Sequence, residues 1–331
     1  MPKTINISTS TIIRAILILI GLFVAYLVRD IILMLFLSII IASAVDYPID
    51  YLEKRGINRV FGVFFIYILI TLFTLAILYS IIPTVIGQVK ILLANLPSYL
   101  DSTFYFFHSP IQLQDILQSV IKKLGQTETL SNVFFFTKNI YQFLSLIAAG
   151  LVLSIYINLQ ESAIKNFLIA LIPAEKQPKI ISLIEKSQNQ IGSWLRGELI
   201  LMFCIGFFTY LGLSILQIKY ALSLAVLAGL LEIIPYLGPI LSSIPAMIIA
   251  FIQSPISFIL VVGLYIILQE LENHVLVPQI MRKSVGLNPV LIILVILVGG
   301  KLGGIMGAII SIPLTAIGKI ILEESKELVK G

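Results

Sequence analysis

The run from Leu268 to Pro278 places Glu270, Glu272, Asn273 and His274 inside otherwise apolar sequence. Carboxylates at membrane depth are costly, face the interior of a helix bundle, and mark substrate or proton pathways. Helical spacing puts Glu270 and His274 on one face, four residues apart, with Asn273 adjacent and Glu272 turned away. A carboxylate and an imidazole so placed can relay protons or hold a cation. If residues 258–278 form one helix, these groups lie in its later half, and a solvated cytoplasmic helix end is the competing reading.

A second constellation is Glu232 with Pro235, Tyr236, Gly238 and Pro239. Two prolines around a glycine leave backbone groups without helical partners, and lipid cannot satisfy them. Irregular backbone at that depth must face protein or a watery cavity, as in transporters whose broken helices carry the substrate site. The alternative is a tight turn at the membrane surface, with Glu232 snorkelling to water. Gly303 and Gly307 have the small-xxx-small spacing of packed membrane helices, so helix packing is their expected role.

The elements that must position these residues are set by composition. Of 331 residues, 59% are hydrophobic and 12% charged, and the mean hydropathy is +1.06. A soluble fold cannot hide that much apolar surface, whereas a bilayer core of about 30 Å takes about 20 apolar residues per span. The chain therefore reads as an all-α, polytopic integral membrane protein, with the lipid bilayer as its principal partner. A net charge of +5, scattered between apolar runs, suits membrane orientation and not nucleic-acid binding. Cys204 is the single cysteine, which excludes a disulfide framework and a cysteine-based metal site.

Enzyme chemistry finds little support. Asp115 is the last aspartate, so a membrane aspartate pair is missing, and no His-Glu-x-x-His zinc site occurs. His274 lacks a nucleophile motif to serve, Ser242 and Ser243 included. Neither a cofactor nor a metal is expected, and the absence of a nucleotide-binding motif argues against an ATP-driven pump.

The organisation follows from the interruptions. Residues 1–83 read as N-terminal transmembrane helices, the first two joined by a tight polar turn at Arg29-Asp30. Residues 84–138 read as a small extracytoplasmic helical domain and 139–160 as a further span. Residues 161–198 form a cytoplasmic amphipathic segment, with Ile180, Ile184, Ile191, Trp194 and Leu195 on one face. Residues 199–322 form a C-terminal transmembrane core and 323–331 a cytoplasmic tail. Within the core, short apolar segments flank Pro235 to Pro239 and Gly299 to Gly304. Segments of 12 to 15 residues cover only about 18 to 22 Å, so each pair is expected to be a broken hairpin entering and leaving on one side. Most lysines and arginines fall on the cytoplasmic side if both termini lie there.

Several motifs in order carry a resemblance: Ile234-Pro235-Tyr236-Leu237-Gly238-Pro239, Leu268-Gln269-Glu270-Leu271-Glu272-Asn273-His274-Val275-Leu276-Val277-Pro278, Val285-Gly286-Leu287-Asn288-Pro289, and the glycine-rich run ending at Pro313. Between Trp194 and Ala316 the chain resembles the autoinducer-2 exporter (AI-2E) family, to which PerM-type permeases belong. The resemblance implies a multi-pass permease of the bacterial inner membrane that exports small solutes, with a homo-oligomer among the expected assemblies. Some members look like sodium-proton antiporters. Glu198, Arg282 and Lys301 depart from the usual pattern. The expected function is thus secondary export of a small polar solute, with cation (sodium)/proton antiport and a non-transporting membrane scaffold as alternatives.

Overall fold

A computed structural model describes residues 9–77, 79, 145–160, 166, 170, 172–281 and 287–330. Every regular element among them is helical, as a backbone in lipid requires when no water is at hand for its amides and carbonyls. In chain order they are α1 (Thr9–Leu27), α2 (Arg29–Lys54), α3 (Arg59–Ile77), α4 (Ser145–Leu159), α5 (Gln177–Ile215), α6 (Ala221–Leu231), α7 (Leu237–Gln253), α8 (Pro255–Leu271), α9 (Val277–Ile280) and α10 (Pro289–Lys330). The expected domain at 84–138, and Arg282 with it, lie outside the described residues. Among those described, five helices are long and apolar enough to cross a membrane.

Three joints differ from the sequence expectation. Arg29 and Asp30 belong to the first turn of α2, and Val28 alone separates α1 from α2. The Val28 amide donates to Val24 and its carbonyl accepts from Ile31 and Ile32, so hydrogen bonding runs through a bend, not a polar turn. Next, α5 is one unbroken helix of 39 residues, about 58 Å long, which carries the amphipathic segment through position 198 into the apolar core. Finally, the proline-glycine tip lies one turn earlier than its prolines suggest. The chain reverses over 232–236, and Gly238 and Pro239 already sit in the first turn of α7.

Both short pairs fold back on themselves. In the first hairpin, α6 descends along α5, with Gly229 so close to the Met202 carbonyl that a Cβ would stand 2.6 Å from it. The open end is braced where the Lys219 amide donates to Gln253 Oε1 at 3.2 Å and Gln253 Nε2 donates to the Gln217 carbonyl at 2.9 Å. Leu213, Ile218, Leu224, Ala246, Ala250, Val261 and Tyr265 fill the space between α5, the hairpin and α8. Ser254 then starts α8, its side chain accepting from the Ser257 amide at 3.0 Å ahead of Pro255 at the first helical position.

The second hairpin is hidden within α10. A continuous helix would hold residues eight apart about 12 Å from each other, yet Gly299 and Gly307 are in contact through backbone. The reversal is at Gly303 (φ −133°, ψ 17°) and Gly304 (φ 61°, ψ −148°), the latter a conformation open essentially to glycine alone. Although α10 counts as a candidate span by length, its chain therefore turns back at residue 304 and does not cross once from end to end.

The N-terminal helices are tied to this core by polar contacts where the helical ladder is broken. Pro48 has no amide for the Ala44 carbonyl, and Arg196 of α5 supplies the missing donor at 3.1 Å, with the Ser43 carbonyl also within 3.3 Å. Gly192 lets α5 approach Ser43 closely enough for this contact. Arg59 binds Asp46 and Asp50 at 2.8 Å each, Glu53 at 3.0 Å and the Asn158 carbonyl at 3.3 Å, linking α2, α3 and α4.

Candidate functional site

Three buried carboxyl groups come together from three separate elements. Glu198 projects from the middle of α5, Glu232 caps α6 at the tip of the first hairpin, and Glu272 lies just past α8. Their relative exposures are 1%, 1% and 4%. Each acts electrostatically on at least one of the others, and Glu232 and Glu272 lie side by side.

Local sequence explains each placement. On α5, Ile191, Trp194, Leu201 and Ile205 form a buried stripe at helical spacing, and Glu198 occupies the same stripe. Gly197 beside it admits the Met281 side chain, which would stand 2.8 Å from a Cβ there. Glu232 is held at the hairpin tip, where the Ile234 amide donates to the Leu231 carbonyl at 3.1 Å and the Gly238 amide to the Ile234 carbonyl at 2.8 Å. Gly238 is packed against the Leu231 carbonyl, so no side chain fits there. Tyr236, at φ 65°, takes a left-handed conformation unusual for a non-glycine residue, which the tight reversal imposes.

Glu272 continues the buried stripe of α8, Val261, Tyr265 and Leu268, and opens a π turn, Glu272–Leu276. Pro278 removes the amide that would bond the His274 carbonyl, and the Val277 amide reaches five residues back to the Glu272 carbonyl. The widened turn follows Glu272, which stays buried while Asn273, His274 and Val275 are exposed. Gln269 Nε2 donates to Glu272 Oε2 at 3.3 Å, and Tyr236 lies within the electrostatic reach of Glu272.

The two sequence constellations thus separate into an inner and an outer group. Glu232, Tyr236 and Glu272 come together, with Pro235, Gly238 and Pro239 shaping the tip that carries the first two. Glu270, Asn273 and His274 are exposed on the other side of the turn. His274 Nδ1 lies 3.1 Å from Glu270 Oε2, with side-chain exposures of 73% and 66%, so this pair is a solvent- or lipid-facing contact and not part of the buried group. Gly303 and Gly307 do not form one helix face, because the chain breaks between them. Gly307 packs on Gly299 across the second hairpin, and Gly303 on Leu33 of α2. Glu198 was legible only as a departure from the family pattern. The signal that marks it is the interruption of the Ile191 to Ile205 stripe by a carboxylate.

The chemistry available is that of acceptors without matching donors. Both Glu198 oxygens and Glu232 Oε2 are buried with no hydrogen-bond partner, as is the Thr209 hydroxyl farther along α5. No lysine or arginine contributes to the electrostatics of the three carboxyl groups among the described residues. Arg196, two residues from Glu198, is committed to α2 and to Ser193 Oγ at 3.2 Å. A direct bond between two carboxyl groups requires a proton on one of them, since two carboxylates only accept. The arrangement can therefore carry protons, and its open acceptors can take up a donor or a positive charge. Among the described residues no three such groups converge closely enough to hold a metal ion.

Comparison with known proteins finds similarity over nearly the whole chain. Residues 15–327 match the family described as AI-2E family transporter. YueF of Bacillus subtilis (strain 168), whose name describes a transport protein, is 26% identical over 318 residues, covering 89% of this chain and 85% of its own. YrrI of the same organism is 26% identical over 302 residues, covering 87% and 86%. YhhT of Escherichia coli (strain K12) is 23% identical over 299 residues, covering 90% and 85%. Both of these also carry transport in their names.

Proposed function

The chain belongs to the AI-2E transporter family and is a multi-pass membrane transport protein; from that premise we propose that it is a proton-coupled secondary transporter exporting a small polar solute. The observation that supports this most is the convergence of Glu198, Glu232 and Glu272, buried, mutually interacting and, among the described residues, without a basic partner. Carboxyl groups placed inside a membrane bundle serve proton relays and ion pathways. They sit at the tip of a reversing hairpin, where transporters place substrate and coupling-ion sites.

In this reading protons load the cluster from one side, and the solute binds as they leave. The first hairpin tip and the π turn are the parts that must shift, because the carboxyl groups are buried. The orientation adopted is that of the lysine and arginine asymmetry, in the bacterial inner membrane with both termini cytoplasmic. Cation/proton antiport is favoured as a second reading by the acceptor-only character of the cluster. The test is efflux from vesicles containing purified protein, screening solutes and cations with and without an imposed proton gradient. Accelerated efflux under the gradient supports coupling. Equal efflux with and without it contradicts coupling.

A further inference from the structure

We propose that the cargo is an organic cation bearing N–H donors, an ammonium or guanidinium group on a short hydrocarbon body, and that it exchanges with protons on the same carboxyl groups. This rests on the proton-coupled reading and goes beyond it by assigning the class of substrate.

The buried atoms left without partners at the cluster are three carboxyl oxygens, Glu198 Oε1, Glu198 Oε2 and Glu232 Oε2. A protein that strands acceptors in this way leaves places for donors, because each unmet buried acceptor carries its desolvation cost. A primary ammonium has three N–H donors and no acceptor, and a guanidinium has several in a planar fork. A neutral or anionic solute would bring further acceptors to a site where the donors among the described residues, Gln269 Nε2 and the proton between Glu232 and Glu272, are already committed. A bare metal ion needs ligands converging on one point, and the described acidic and imidazole groups do not converge so.

The residues beside the carboxyl groups are apolar and packed on one another, so the hairpin tip must shift to admit the rest of such a molecule. Trp194 and Leu195, one turn before Glu198, and Ile233, Ile234 and Leu237, at the hairpin tip, belong to one apolar cluster. The cation's charged end would face carboxyl oxygens while its methylenes lie against these side chains. Exchange is balanced in charge. One monovalent cation binds as one proton leaves the carboxyl groups, and the reverse occurs at the opposite face.

The test uses the full chain in proteoliposomes containing a trapped pH dye, with four external probes: methylguanidinium, tetramethylammonium, sodium and the neutral polyol xylitol. Methylguanidinium stays charged and does not cross lipid as a free base. Tetramethylammonium has the same charge and no N–H. Methylguanidinium should drive proton counterflow about tenfold faster than tetramethylammonium, the factor expected when charge-assisted hydrogen bonds are lost. Glu198→Gln should abolish that flux and Glu198→Asp should retain part of it, with both variants monodisperse on size exclusion.

Sodium or xylitol driving proton counterflow while methylguanidinium is silent would leave proton coupling standing and overturn the cargo class. Methylguanidinium entering, by tracer, without proton movement would keep the cargo and overturn coupling. Equal rates for methylguanidinium and tetramethylammonium would overturn the N–H requirement. No flux with any of the four probes would overturn both.

Discussion

The carboxyl group of Glu232, at the end of α6, lies beside that of Glu272, in the π turn after α8. This contact joins the tip of the first hairpin to the helix that follows it, and two buried carboxyl groups side by side share a proton in preference to both carrying charge. Glu232→Gln replaces the shared-proton pair by an ordinary amide–carboxylate bond. Proton counterflow should fall by about tenfold or more while the protein still assembles, since an amide supplies a donor of similar size. Flux in vesicles with matched protein content checks this, and an unchanged rate would remove Glu232 from the pathway.

Glu270 and His274 provide the control. Their side-chain contact is exposed, and even a fully charged pair in such a place contributes about 0–1 kcal/mol. Glu270→Gln and His274→Gln should leave transport and thermal stability near the parent values. Loss of coupling in either would show that the outer face of the π turn takes part, contrary to the buried site.

The second hairpin makes a structural prediction at Gly307. A methyl there would collide with the Gly299 carbonyl, so Gly307→Ala should destabilise the fold by about 1–3 kcal/mol. Gly318→Ala, in the same element with open space around its Cα, should not. Thermal unfolding in detergent distinguishes the two, and equal melting temperatures would argue against the close backbone approach.

Arg196 and Pro48 should be coupled energetically. Arg196→Ala leaves the Ala44 carbonyl without its donor and should cost about 1–3 kcal/mol. Pro48→Ala restores a backbone amide to that carbonyl, so Arg196→Ala should cost less in its presence. A double-mutant cycle of melting free energies measures the difference. Strict additivity would show that Arg196 does not act through this carbonyl.

The helical, membrane-embedded character was legible because apolar runs of span length leave the backbone no other solution in lipid. The hairpins were legible through Pro235, Pro239 and the glycine run, whose backbone chemistry is local. Glu198 was harder to read, because its neighbours Glu232 and Glu272 lie far along the chain and only tertiary packing brings them to α5. Helical spacing correctly turned Glu272 away from Glu270 and His274. It could not tell which side faced the protein, since that depends on where α5 and the first hairpin dock against α8. The exchange of partners between Gly303, Gly307 and Gly299 was likewise invisible, because a small-xxx-small stripe looks the same whether the helix continues or reverses.

The central claim is that this buried carboxyl cluster couples transport to protons, and Glu272→Gln tests it most directly. The substitution keeps size and hydrogen bonding but removes the group's ability to gain and lose a proton. Solute efflux and proton counterflow should be recorded together across a range of pH, in vesicles holding equal amounts of folded parent and variant. The account predicts that proton-driven efflux is lost and that the remaining solute movement no longer depends on pH. Efflux at the parent rate with an unchanged pH profile would contradict it.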